Sequence, residues 1–104
     1  MLNFIVCDDN INILEKISKM LETIFINNSL DATIVLQALE GKTVIDFIKN
    51  NHIDVLLLDI NLKGEISGLH IAEELRKINK NAYLIFTTAH LEYAMLAYKF
   101  KTFD

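Results

Sequence analysis

Three aspartates and a threonine stand directly behind short apolar runs. Asp8 and Asp9 follow FIVC, Asp59 follows VLLL, and Thr88 follows LIFT with Ala89 behind it. If those runs end at one edge, three carboxylates converge there. Such a set stays ionised only with a cation among its members, or else one member keeps its proton. Carboxylate oxygens are the donors that a hard ion takes. Magnesium, which keeps several waters and accepts few protein ligands, fits best. An aspartate can also act as a nucleophile on phosphorus and form an acyl phosphate. A metal ion beside it would offset the charge of the incoming phosphoryl group and orient it. Thr88, followed by the small Ala89, can bond a phosphate oxygen without crowding it. Cys7 and the three histidines, His52, His70 and His90, show no spacing that suits zinc.

Taken one at a time, these residues have plainer readings. An aspartate at a strand end is commonly a turn or cap residue. Asp8-Asp9-Asn10 can serve only to cap a helix, Thr87-Thr88 can be only strand and loop, and His90 reads as a surface residue. The chemistry depends on their meeting at one edge, which the order of the elements has to provide.

Leu2 to Cys7 is rich in strand formers and stops at Asp8-Asp9. Asn10 suits a helix N-cap, because its side chain can accept a bond from a free first-turn N–H. Ile11, Leu14, Ile17, Leu21, Ile24 and Phe25 then recur at spacings of three and four. They predict one apolar stripe on a helix ending near Asn27-Asn28. A second strand is predicted over residues 32–39, and a short helix over 42–49 with Val44, Ile45 and Ile48 inward. Residues 55–58 form an unbroken aliphatic run, the pattern of a strand covered on both faces, and Asp59 ends it. Gly64 and Ser67-Gly68 break the pattern, so residues 61–68 read as a loop. Leu69, Ala72, Leu75 and Ile78 mark a third helix, and residues 83–86 a fourth strand. Residues 92–100 read as a fourth helix. Its Tyr93, Met95, Leu96, Tyr98 and Phe100 predict two buried faces.

The order βαβαβαβα predicts an α/β fold, a doubly wound parallel sheet with right-handed crossovers and helices on both faces. Ligands of such sheets sit beyond the C-terminal strand ends, where the strand order switches. Asp8, Asp9, Asp59 and Thr88 all fall at those ends.

A chain of 104 residues suits one domain, and 52% apolar residues suffice for a core. A net charge of −4 offers no basic footprint for nucleic acid. There is no proline and little glycine, so no stretch reads as a linker. Cys7 is the single cysteine, which excludes a disulfide within the chain. Inside its apolar run it is expected to be a small buried thiol that stays protonated. No apolar run approaches the roughly 20 residues of a membrane helix. The N-terminus lacks a signal-peptide pattern, so the cytoplasm is the expected compartment.

Several segments together resemble the receiver domains of two-component response regulators. FIVCDDN is similar to their first strand and acidic pair, DVLLLDINLKGEISGLHIAEELR to the phosphoacceptor strand, loop and helix, and LIFTTAH to the strand bearing the switch hydroxyl. With EYAMLAYKFKTFD, the pattern is similar to receivers that precede a LytTR DNA-binding domain. The resemblance covers essentially residues 1–104. It implies a flavodoxin-like receiver fold with sheet order 2-1-3-4. Asp59 would be the phosphoacceptor and Thr88 the switch hydroxyl. Asp9 would bind magnesium directly, Asp8 often through water, and Asn61 through its backbone carbonyl. A sensor histidine kinase would be the donor, and DNA would be bound only through an attached domain. Such a domain is a phosphoacceptor that assists its own phosphorylation and dephosphorylation, not an enzyme in the ordinary sense.

The chain also departs from that pattern. It stops at Asp104, where the fifth strand would begin, so the family's lysine in that strand falls beyond it. Lys99 and Lys101 precede that strand and do not match. The expectation is a piece of a longer regulator, or a naturally shortened one, with weakened phosphoryl capture. An open edge at the fourth strand would then favour a homodimer or segment exchange. The serious rival is a degenerate receiver acting only as an interaction or dimerisation module. A phosphatase of the haloacid dehalogenase type would want a second aspartate where Asn61 stands. A flavin-binding domain would want a hydroxyl- and glycine-rich loop where Asp8-Asp9 stand.

Overall fold

The structure is a computed structural model and describes residues 1–87. Thr88, Ala89, His90 and the helix predicted over residues 92–100 lie outside the described residues. Four strands and three helices alternate: β1 (Leu2–Cys7), α1 (Ile11–Asn27), β2 (Ala32–Ala38), α2 (Gly41–Ile48), β3 (Val55–Asp59), α3 (Gly68–Ile78) and β4 (Tyr83–Thr87). The strands form one parallel sheet in the order β2-β1-β3-β4. The chain moves outward from β1 to β2, then crosses back over β1 to β3. That reversal puts the switch point between β1 and β3, so the residues that follow these two strands share one crevice.

Alternation of side chains along each strand divides the interior in two. Ile5 and Cys7 of β1, Leu56 and Leu58 of β3, and Leu84 and Phe86 of β4 pack with Val44, Ile48, Ile71 and Leu75 of α2 and α3. On the other face Phe4 meets Phe25 of α1, with ring centroids 4.8 Å apart and planes at 56°. Val55 to Leu58 are all buried, as an unbroken aliphatic run at the centre of a parallel sheet requires.

Helix α1 opens as its sequence indicates. The Asn10 side chain accepts bonds from Asn12 N at 2.9 Å and Ile13 N at 3.2 Å. Asn10→Ala is expected to destabilise the domain by about 1 kcal/mol, the usual worth of such a cap. Urea titration followed by circular dichroism checks this, and an unchanged midpoint would contradict it.

The stripe on α1 is narrower than predicted. Leu14 and Phe25 are buried and Ile17 and Leu21 half-buried, but Ile11 is 49% and Ile24 46% exposed. Buried Ser18 takes a place among them and donates a hydrogen bond from Oγ to Oε1 of Gln37 on β2, at 3.2 Å. In α3, Ile71 is fully buried, whereas Ile78, at the last position of the helix, is exposed. The predicted strand and helix bounds otherwise shift by one residue: β2 stops at Ala38, α2 runs one residue earlier, and β3 and β4 each extend one further, to Asp59 and Thr87.

Candidate functional site

Asp8 and Asp9 leave the end of β1, and Asp59 is the last residue of the neighbouring β3. One carboxylate oxygen from each of Asp8, Asp9 and Asp59 falls within 4.8 Å of the others. The parallel sheet alone accounts for this meeting, since it lines up strand ends that are some 50 residues apart in the chain.

Each carboxylate is aimed by one backbone N–H. Asn10 N donates to Asp8 Oδ1 at 2.9 Å, and Asn61 N donates to Asp59 Oδ1 at 2.9 Å. Lys63 N, from the β3–α3 loop, donates to Asp9 Oδ2 at 3.2 Å. Gly64 follows with φ +115°, a conformation that side-chain-bearing residues rarely adopt, and so lets the loop turn beside Asp9. Among the described residues, no hydrogen bond engages the second oxygen of any of the three.

Electrostatics show how crowded the cluster is. Burial raises the Asp8 carboxyl above its ordinary value, the Asn10 N–H opposes this, and the charges of Asp59 and Asp9 add to the rise. Asp59 is raised chiefly by burial and then by Asp9, against the Asn61 N–H. Cys7, just beneath, is buried, and its thiol is pushed up to about 12, first by burial and then by the charges of Asp8, Asp59 and Asp9. It therefore stays protonated and unreactive, as its apolar setting implied.

The donor set suits magnesium. All three side chains offer oxygen, the donor atom of hard cations. One oxygen from each of the three lies within 4.8 Å of the others, close enough for Asp8, Asp9 and Asp59 to hold one cation between them.

Asn61 is exposed, two residues beyond Asp59, and contributes the N–H described above. Thr88 lies outside the described residues. Sequence reasoning missed two contributors. One is Lys63, whose role is played by its backbone and leaves no mark on residue type. The other is Gly68, read only as a pattern breaker. It starts α3 against the end of β3, where a Cβ would lie 2.8 Å from the Asp59 carbonyl oxygen. A glycine opening the helix that follows a functional strand is the signal that could have found it.

Residues 4–103 match the response regulator receiver domain, and the chain belongs to that family. Receiver domains are signalling domains that hold magnesium through acidic residues and take part in two-component phosphorylation. The chain is 29% identical over 65 residues to the transcriptional regulatory protein YpdB of Escherichia coli K12, covering 62% of this chain and 26% of that protein. It is 37% identical over 54 residues to the sensory transduction protein LytR of Staphylococcus epidermidis, covering 52% and 21%. It is 43% identical over 51 residues to LytT of Enterococcus faecalis, covering 49% and 21%. The matched portions are thus about a quarter or less of the length of these relatives. Among solved structures, the response regulator TrrA of Thermotoga maritima, in complex with Mg(2+)-BeF, superposes with a TM-score of 0.75 at 32% identity. It covers 91% of this chain and 76% of that one. The receiver domain of AraT from Geobacillus stearothermophilus gives 0.83 at 22% identity, covering 99% and 78%, which speaks for the fold. The expected α/β receiver fold with order 2-1-3-4 agrees with both.

Proposed function

We propose that Asp59 is the phosphoacceptor of this receiver and that Asp8, Asp9, Asp59 and the Asn61 carbonyl hold Mg2+ beside it. The observation that carries this reading is the meeting of the Asp8, Asp9 and Asp59 oxygens at the end of β1 and β3. The relative TrrA, solved with magnesium and beryllium fluoride, a phosphomimetic, supports it.

The chemistry follows from the geometry. Asp59 keeps one oxygen on the Asn61 N–H and presents the other as nucleophile. That oxygen attacks the phosphorus of a phosphohistidine on a sensor kinase. The P–N bond breaks, and the imidazole leaves with the electron pair and is reprotonated. When bound, Mg2+ offsets the negative charge on the transferred oxygens. Thr88 then supplies the hydroxyl that turns toward the phosphoryl group. The signal passes to an attached transcription-regulating domain of the LytTR type, in the cytoplasm, and the receiver itself binds no nucleic acid. No helix among the described residues is long and apolar enough to cross a membrane.

Intact-mass measurement after incubation with Mg2+ and acetyl phosphate tests the reading. One phosphoryl adduct is expected on the wild type and none on Asp59→Asn. Folded wild type with no adduct would sink it and favour a pure interaction module.

A further inference from the structure

Among the described residues, Thr87 is the one hydroxyl that the sheet itself sets beside Asp59. Asp59 and Thr87 are register partners at the ends of β3 and β4. Thr87 also accepts the Ile60 N–H on its carbonyl at 3.3 Å, which ties the two strand ends together beyond the pair. In β4, Leu84 and Phe86 point into the core under α2 and α3, so Thr87 points to the opposite face. The same alternation in β3 sends Leu56 and Leu58 into that core and Asp59 to the face of Thr87. Registered side chains of neighbouring parallel strands stand side by side, about 4.8 Å apart at the backbone. Both residues are half-buried, so water reaches them without flooding them.

Hydrolysis of an acyl phosphate on Asp59 returns charge to that side chain. Water attacks phosphorus, and the bond between phosphorus and the Asp59 oxygen breaks. The electron pair goes back to the carboxylate, and orthophosphate departs with the proton passed to solvent. A donor beside the carboxylate strengthens its hold as the charge returns, which is where a donor accelerates a reaction.

We infer that Thr87 is a positioning residue for Asp59, its hydroxyl donating to the carboxylate as the phosphoryl group leaves and so shortening the life of the phosphorylated state. The inference rests on the Asp59 reading above. It is separate from the part given to Thr88, which concerns the phosphoryl oxygens.

Two near-isosteric substitutions test it on the full chain. Proteins loaded with Mg2+ and acetyl phosphate are freed of donor, and the adduct is followed by intact mass. Thr87→Val keeps shape and strand preference but loses the hydroxyl, and its adduct is expected to last about three- to tenfold longer, the worth of one hydrogen bond in a partly solvated site. Thr87→Ser keeps the hydroxyl and loses the methyl group, and its half-life is expected to stay within about twofold of wild type. A Thr87→Val half-life equal to wild type overturns the inference. So does a Thr87→Ser protein that behaves like Thr87→Val, because the methyl group would then be what matters. Wild type that forms no adduct overturns both this inference and the Asp59 reading.

Discussion

Gly68→Ala is expected to lower the stability of the domain by about 1–3 kcal/mol, the usual penalty for forcing a methyl group into a filled space. The new Cβ would sit 2.8 Å from the Asp59 carbonyl oxygen, 3.2 Å from Ile60 Cα and 3.3 Å from the Ile60 carbonyl oxygen. All three are backbone atoms, so no side chain can rotate out of the way. Either α3 moves off or the end of β3 bends, and the bend displaces Asp59. Alanine gains up to about 1 kcal/mol of helix preference over glycine, which offsets part of the penalty at this first helical position. Gly41→Ala is the informative contrast. Its Cβ would meet Ile71 Cδ1 at 2.7 Å, Ile66 Cγ2 at 3.0 Å and Ile66 Cβ at 3.2 Å, all side-chain atoms, which give way more readily than backbone. Thermal melts should therefore rank Gly68→Ala below Gly41→Ala. For a domain of this size each kcal/mol moves Tm by about 4–8 °C. The effect on chemistry should be larger still. A shift of about 1 Å in a reacting group can cost about 100-fold in rate, so phosphorylation of Gly68→Ala by acetyl phosphate should slow by about tenfold or more. Equal melts and equal rates for Gly68→Ala and wild type would refute the tight seating of β3 against α3.

The parts legible in the sequence are those that depend on local pattern. The short aliphatic run before Asp59 has the length and pattern of a buried strand, and alternation with helices makes the sheet parallel. A parallel sheet gathers its strand ends, so Asp8, Asp9 and Asp59 meet without any long-range information. What escaped depends on how elements lie on one another. Where α1 lies against the sheet, Ser18 meets Gln37 while Ile11 and Ile24 stay exposed, and apolar periodicity alone does not encode that placement. Lys63 reaches Asp9 through its backbone, across 54 residues of sequence, so its side chain is irrelevant to the contact. Gly68 is chosen for what it lacks, and only the position of the Asp59 carbonyl reveals the reason.

In metal-free solution the domain is expected to lose stability from the acidic cluster as pH rises, the reverse of the usual acid-lability of carboxylate pairs. Asp8 and Asp59 both hold their protons more tightly folded than unfolded, because burial and mutual charge disfavour ionisation. A raised folded pKa makes the native state bind more protons than the unfolded state between the two values, so unfolding free energy falls with pH across that window. Below the unfolded value, about pH 4, both states are protonated and the penalty is absent. Above the raised values it is fully present. Asp54 runs the other way. The Asn3 N–H, at 2.8 Å, and then His52 lower its carboxyl, so its contribution is present above the ordinary carboxylate value and is lost as pH falls through the lowered one. The cluster is therefore isolated by difference. In chelator at neutral pH, Asp59→Asn should melt above wild type by about 4–8 °C, taking on the order of 1 kcal/mol for repulsion between partly solvated charges. That gap should close toward pH 4, where wild type sheds the same charge on its own. Magnesium should restore wild type at neutral pH, by about 2.7 kcal/mol when present at 100 times its dissociation constant. It should help Asp59→Asn much less, since one of three carboxylates is gone. Melts of both proteins from pH 4 to 8, with chelator and with Mg2+, decide the matter. A difference that does not vary with pH, or equal responses of the two proteins to Mg2+, would mean that the three aspartates are not acting as one charged site.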